Sequence, residues 1–289
     1  MTEANMTQTA SKGSPSNSGV RKKHDALCSF SERIEQLDRS GSMSERTRAN
    51  LVRALDSIDD EERAAFLEKY SGQLDDIETL APIKYADFGY WALRNVQLAE
   101  WLDLDRSPPL DILDIATGSG NFGMVAQSMG HRFLGTDVAN DWYAELCALT
   151  RVERLVAPVT RRERYKPVDR RFDLITTMLP AFHRRLVDGK REYWSVEDWR
   201  LFLLGLVNDL LKPNGRIFIL MPLDKDDDGK LSYSPFVRWA YERGARLDRT
   251  NASGPLRHIE FNPATAETFG EEAPDVGERP EIELEWQNR

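Results

Sequence analysis

The stretch DILDIATGSGNFG, Asp111 to Gly123, decides the reading of this chain. Ile112, Leu113 and Ile115 form a short apolar run broken only by Asp114, the pattern of a buried parallel strand. Gly118 and Gly120 then supply backbone freedom and room for a ligand to approach the main chain. From Asn121 the pattern turns helical, with Phe122, Val125, Ala126 and Met129 before a terminal Gly130. Strand, glycine turn and helix present a helix N-terminus to a nucleotide-like ligand.

Gly118, Gly120 and Gly123 formally match the dinucleotide fingerprint G-x-G-x-x-G, which alone is a weak signal. Asp114, four positions before Gly118, separates two ligand classes. Its carboxylate would repel a pyrophosphate and attract an amino group or a sulfonium. LDIATGSGNFG resembles motif I of class I S-adenosylmethionine (SAM) methyltransferases, written D-x-G-x-G-x-G, with Ala116 in place of its first glycine. LLKPNGRIFIL resembles the turn and fifth strand of the same family. WSVEDWRLFLLGLVNDLLKPNG is similar to bacterial small-molecule members. The resemblance spans roughly Tyr85 to Pro222.

The resemblance implies SAM as cofactor, with Asp114 at its methionine end and Gly118 and Gly120 lining it. Ala116, Ser119, Val138 and Leu179 complete the set expected to line it. Asp137 closes a second short strand, RFLGTD, 19 residues beyond Gly118. A carboxylate there can accept both ribose hydroxyls of an adenosine. It can also cap the helix that begins near Asp141. Many family members carry an acidic residue after the third strand to meet adenine. Here VTRRER follows, and Thr160 is the nearest polar candidate. Lys84 and Tyr85, ahead of the helix Asp87–Leu104, can cover the cofactor or simply pack.

FDLITTML, Phe172 to Leu179, reads as the fourth strand, and the residues after it point at the transferable group. His183 is the candidate catalytic base there, a neutral imidazole able to take a proton from a hydroxyl or amine. Its alternative is an ordinary loop histidine. Arg184, Arg185 and the stretch Lys190 to Trp194 are open to two readings: contact with an anionic or sugar-like substrate, or a solvated connection.

The chain of 289 residues, 40% hydrophobic and 30% charged, suits a globular protein with a sizeable core. A net charge of −9 argues against general nucleic-acid binding. No apolar run approaches the ~20 residues of a membrane span, and the polar N-terminus lacks a signal-peptide core, so a cytoplasmic location is expected. Cys28 and Cys147 offer no disulfide framework and read as small hydrophobes. DKDDDGK lacks the glutamate of a calcium loop, and no metal site is expected.

The expected fold is a doubly wound α/β domain whose mostly parallel, seven-stranded sheet has an antiparallel edge strand, behind a helical N-terminal extension. The expected divisions are 1–23, a disordered tail; 24–83, helical; 84–262, the SAM-binding domain; and 263–289, an acidic, loose tail. The expected function is methyl transfer from SAM to a small-molecule hydroxyl or amine, with no nucleic-acid or membrane partner. One rival is an NAD-dependent oxidoreductase, which predicts an apolar residue at position 114. A non-catalytic SAM-binding or interaction protein with this fold is the other.

Overall fold

The structure, a computed structural model, describes residues 28–39, 41–70, 83–226, 229–249 and 256–270. The expectations for residues 1–23 and from 271 onward lie outside the described residues.

The sheet is ordered β3-β2-β1-β4-β7-β9-β8. Its first half consists of β1 (Asp111–Ile115), β2 (Arg132–Asp137), β3 (Arg154–Val156) and β4 (Phe172–Met178), all parallel. Two further strands flank β4 in sequence as a separate pair, β5 (Arg184–Val187) and β6 (Lys190–Tyr193). Next comes β7 (Leu211–Leu220), parallel to β4. The expected antiparallel strand lies one position in from the edge: β9 (Leu256–Phe261) inserts between β7 and β8 (Arg246–Arg249), antiparallel to both. About six residues separate β8 from β9 in the chain, too few for a parallel crossover, so the two pair antiparallel. Ile112, Leu113, Leu174, Ile175, Ile217 and Ile219 are fully covered, as strands buried on both faces require.

Three N-terminal helices, α1 (Phe30–Leu37), α2 (Glu45–Leu55) and α3 (Asp60–Lys69), start at side-chain caps Ser29, Ser44 and Asp59. They share one hydrophobic core with α4 (Phe88–Trp101), α5 (Asn121–Ser128) and α6 (Asp141–Leu149). Leu51, Ala54 and Leu55 are buried there. The charges of this extension partly serve as its seam. Arg33 Nε donates to Asp87 Oδ1 at 3.0 Å, Thr47 Oγ1 to Glu100 at 2.8 Å, and Arg46 pairs with Asp105. The reason is topological: α2 lies along α4, so polar residues on the facing edges find each other across the contact.

The other face of the sheet is covered by α7 (Val196–Asp209) and α8 (Ser234–Glu242), which carry Trp199, Phe202, Leu203, Phe236 and Trp239 into a second core. Ser195 and Asp198 cap α7 reciprocally, as their spacing predicts. The loose stretch expected from Pro263 is instead ordered at its start. Pro263–Glu267 forms α9, capped by Asn262, and Thr265, Ala266 and Phe269 are buried. Three inward residues in seven outweigh the prolines and charges that suggested looseness.

Candidate cofactor site

The carboxyl ends of β1, β2 and β4 open into a cavity of about 200 Å³. Its floor is the glycine turn. Gly118 (φ +56°) and Gly120 (φ +76°) take left-handed backbone angles. A side chain on Gly118 would meet nothing within 4 Å, so its backbone lies open to a ligand. A Cβ on Gly120 would sit 2.9 Å from Thr150 Oγ1 and 3.0 Å from Cys147 Sγ, so this glycine lets α5 approach α6. Cys147 is a buried packing residue, its thiol pushed up to about 12 by desolvation.

Asp114 lies under the turn, 1% exposed. Its Oδ1 accepts from Thr176 Oγ1 at 2.6 Å, and no cationic side chain pairs with it among the described residues. Burial raises its pKa to about 7 against the pull of the Thr176 and Thr117 hydroxyls, and the charge of Asp137 adds to the rise. Asp137 Oδ2 accepts from Gly118 N and its Oδ1 from Val138 N, each at 2.7 Å. The helix cap is Asn140, so the capping alternative for Asp137 does not hold. Two amides fix this carboxylate at the cavity wall, with further lone pairs on each oxygen.

Of the expected residues, Asp114, Ala116, Gly118, Ser119, Asp137 and Leu179 line this cavity together. Gly120 stands behind it as the N-cap of α5. Val138 is about half exposed and outside the lining. Thr160 does not reach the cavity. It lines a second one, beyond the end of the three-residue strand β3.

His183 is 2% exposed and lines neither cavity. Its ring lies 5.8 Å from that of Trp199 and 6.0 Å from that of Tyr193, centroid to centroid. Asp224 Oδ2 is 3.6 Å from its Nε2, beyond hydrogen-bond length. Burial lowers the imidazole's pKa to about 4, against the attraction of Asp224. The ring is neutral near pH 7, but it is enclosed by aromatic packing and shows no surface to the cofactor cavity.

Tyr85, Trp91, Asn95, Asn121, Phe122, Tyr143 and Met178 also line the cavity. Trp91 Nε1 donates to Lys84 O at 2.9 Å, which ties the turn bearing Tyr85 to α4. Tyr85 and Tyr143 meet edge-on at 6.1 Å, and desolvation pushes the Tyr143 phenol up to about 12. Position ahead of α4 pointed to Tyr85. Tyr143, by contrast, reads in sequence as one more packing residue of an apolar helix. Asn121 Oδ1 is buried without a hydrogen-bond partner.

Two lining residues other than glycine hold left-handed angles, Ala116 (φ +63°) and Leu179 (φ +53°). Such strain gathers where surrounding structure enforces it. For Ala116 it also explains why the resembled motif has glycine there.

No family model matches the chain, and neither does any curated protein. Among solved structures the chain is similar to a ribosomal protein L11 methylase from Lactobacillus delbrueckii subsp. bulgaricus, at 20% identity over 59% of this chain and 79% of that one, TM-score 0.38. It is similar to a TehB-like SAM-dependent methyltransferase from Corynebacterium glutamicum, at 15% identity over 69% and 98%, TM-score 0.38. A third is CalS10, a SAM-bound amino pentose methyltransferase from Micromonospora echinaspora, at 13% identity over 59% and 90%, TM-score 0.39. Among the described residues no helix is long and apolar enough to cross a membrane.

Proposed function

We propose that this chain transfers a methyl group from SAM to a small-molecule acceptor. The observation that carries the reading is the buried, cation-free carboxylate of Asp114 beneath a glycine turn that Asp137 braces from the other side. An ionised carboxylate in that position calls for a cation from outside the protein. The amino group of a methionine moiety supplies one, and a pyrophosphate supplies the opposite charge.

The unpartnered Asn121 Oδ1 fits a polar ligand, and the aromatic wall of Tyr85, Trp91 and Tyr143 fits the nucleoside end of such a molecule. Asp137, held by Gly118 N and Val138 N, is oriented to accept ribose hydroxyls. Bound there, SAM would supply an electrophilic methyl, the acceptor's lone pair forming the new bond to carbon as the S–C bonding pair stays on sulfur. The protein's share is positioning and exclusion of water, and orientation alone is worth ~7–11 kcal/mol in favourable cases.

Calorimetry with S-adenosylhomocysteine and with NAD tests the proposal. Binding of S-adenosylhomocysteine without NAD binding is the expected result. Binding of NAD alone would establish the oxidoreductase reading in its place.

A further inference from the structure

The two halves of α6 are held in different ways. Leu146, Cys147 and Leu149, from its second half, are buried in the hydrophobic core. Its first turn meets the end of α3 instead. The ring of Tyr70, the C-cap of α3, lies 4.0 Å from that of Trp142 with 30° between their planes. Phe66 closes on the same two rings at 4.9 and 6.4 Å. Tyr70 Oη donates to Glu145 Oε2 at 2.8 Å, and Lys69 Nζ donates to both oxygens of that carboxylate at 2.9 Å. The Lys69 pair is largely exposed and worth little. The aromatic contact and the half-buried hydroxyl bond are the firmer hold, and both belong to Tyr70.

Between Trp142 and Glu145 stands Tyr143, which lines the cofactor cavity and meets Tyr85 edge-on. At 3.6 residues per turn Trp142 and Glu145 share one side of α6, and Tyr143 points about 100° away from Trp142. The helix has nine residues and starts at a single cap, Asn140, so its first turn depends on what packs against it. A small rotation of that turn swings the Tyr143 ring along the cavity wall.

We propose that Tyr70 is a positioning residue of the cofactor cavity. Its contact with Trp142 and its bond to Glu145 set the rotation of the first turn of α6, and so the direction in which Tyr143 faces the ligand. Tyr70 is not among the lining residues, and through it the N-terminal helices become part of the site. This role rests on the cofactor reading above.

Calorimetric titration of the full chain with S-adenosylhomocysteine tests it, with a thermal melt of every variant. Tyr70→Leu removes the aromatic contact and should weaken binding about fivefold, the scale of one aromatic pair. Tyr70→Phe keeps the ring and should restore binding to within about twofold of wild type. Trp142→Leu takes the contact away from the other side and should match Tyr70→Leu, which keeps the test decisive if either variant fails to fold. Tyr143→Leu should weaken binding by itself. Adding Tyr70→Leu to it should cost nothing further, because Tyr70 acts through the ring already removed. Wild-type affinity in folded Tyr70→Leu and Trp142→Leu, whatever their melting temperatures, would reduce the contact to a structural one and overturn the proposal. Losses that add in the double variant would overturn it as well. Both results leave the cofactor reading standing. A wild-type chain that does not bind S-adenosylhomocysteine would overturn that reading and the role of Tyr70 together.

Discussion

Asp114 and Asp198 are each 1% exposed, yet their surroundings treat them in opposite ways. Burial alone raises the pKa of both. At Asp198 that effect is overcome. Arg161 donates at 2.7 Å, Arg162 at 2.8 Å, and the Ser195 hydroxyl and amide at 2.7 and 2.9 Å, which together hold the carboxyl well below the usual range. At Asp114 the described partners are neutral hydroxyls, Thr176 and Thr117, with no cation among them, and the pKa stays near 7. A carboxylate that serves the fold comes with its own cations. One that serves a ligand leaves the cation to be supplied.

Removing each carboxylate breaks the comparison most directly. Asp198→Ala should cost roughly 3 kcal/mol of stability, combining a lost helix cap and the lost hydrogen bonds to charged groups. Denaturant unfolding measures this, and a loss well under 1 kcal/mol would mean the node is ornamental. Asp114→Asn should act on the ligand instead. The asparagine oxygen still accepts from Thr176, but the charge is gone. S-adenosylhomocysteine should bind more weakly by roughly 1.5–3 kcal/mol, the range for hydrogen bonds to charged groups.

Stability should move the other way in that variant. Asp114's folded pKa is raised above its unfolded value of 3.8 to about 7, so the native state holds a proton that the unfolded state releases. The wild-type chain therefore loses stability as pH rises between these values, on the order of a few kcal/mol in all, and Asp114→Asn does not. Thermal melts of both proteins at pH 5 and pH 8 check the sign. A variant less stable than wild type at pH 8 would place Asp114 among the structural carboxylates.

The contrast was half legible in the sequence. Asp114 and Asp137 announce themselves through spacing from the glycine turn, because a strand, a tight turn and a helix are local structures whose geometry follows from a dozen residues. The Asp198 cap was legible for the same reason. Its arginines were not, because Arg161 and Arg162 reach it from a loop 36 or 37 residues earlier in the chain. The β5–β6 hairpin carried a signal that was passed over: Asp188-Gly189 between two four-residue runs, both residues now at positive φ. His183 follows β4 as expected, but its burial against Trp199 and Tyr193 comes from long-range packing that the local sequence does not encode. Tyr143 and Asn95 needed the crossing of α4 and α6 over the strand ends, which no local pattern encodes.

A gentler perturbation sharpens the comparison through pH alone. If Asp114 must be ionised to meet a cation, ligand affinity should climb with pH below 7, by up to about tenfold per unit, and level off above it. Binding near neutral pH should also release a fraction of a proton, so the calorimetric enthalpy should change with the buffer's own ionisation enthalpy. Asp198, already ionised throughout this range, should contribute nothing. A flat affinity from pH 5.5 to 8 would show that the bound ligand brings no cation to Asp114.

The smallest expected effect lies in the turn between Asp114 and Gly118. Ala116 holds φ +63° at the edge of the cavity. A side chain in that region costs roughly 1–2 kcal/mol through contact of Cβ with the backbone. Ala116→Gly removes this strain and gives back part of it, ~0.4–1 kcal/mol, as added freedom of the unfolded chain. The net should be a gain of about 0.5 kcal/mol, or a rise of about 1–2 °C in melting temperature for a domain of this size. Ligand affinity reports on the turn's purpose. Asp114 and Asp137 are anchored outside the turn by Thr176 and Val138, so their carboxylates should keep their positions and S-adenosylhomocysteine should bind within about threefold of wild type. A melting temperature that falls by several degrees would show that Ala116's methyl packs better than its backbone angle suggests. A stable variant that binds tenfold more weakly would show that the strained alanine holds the turn in the shape the ligand needs, and would add it to Asp114 as a residue kept at the expense of the fold.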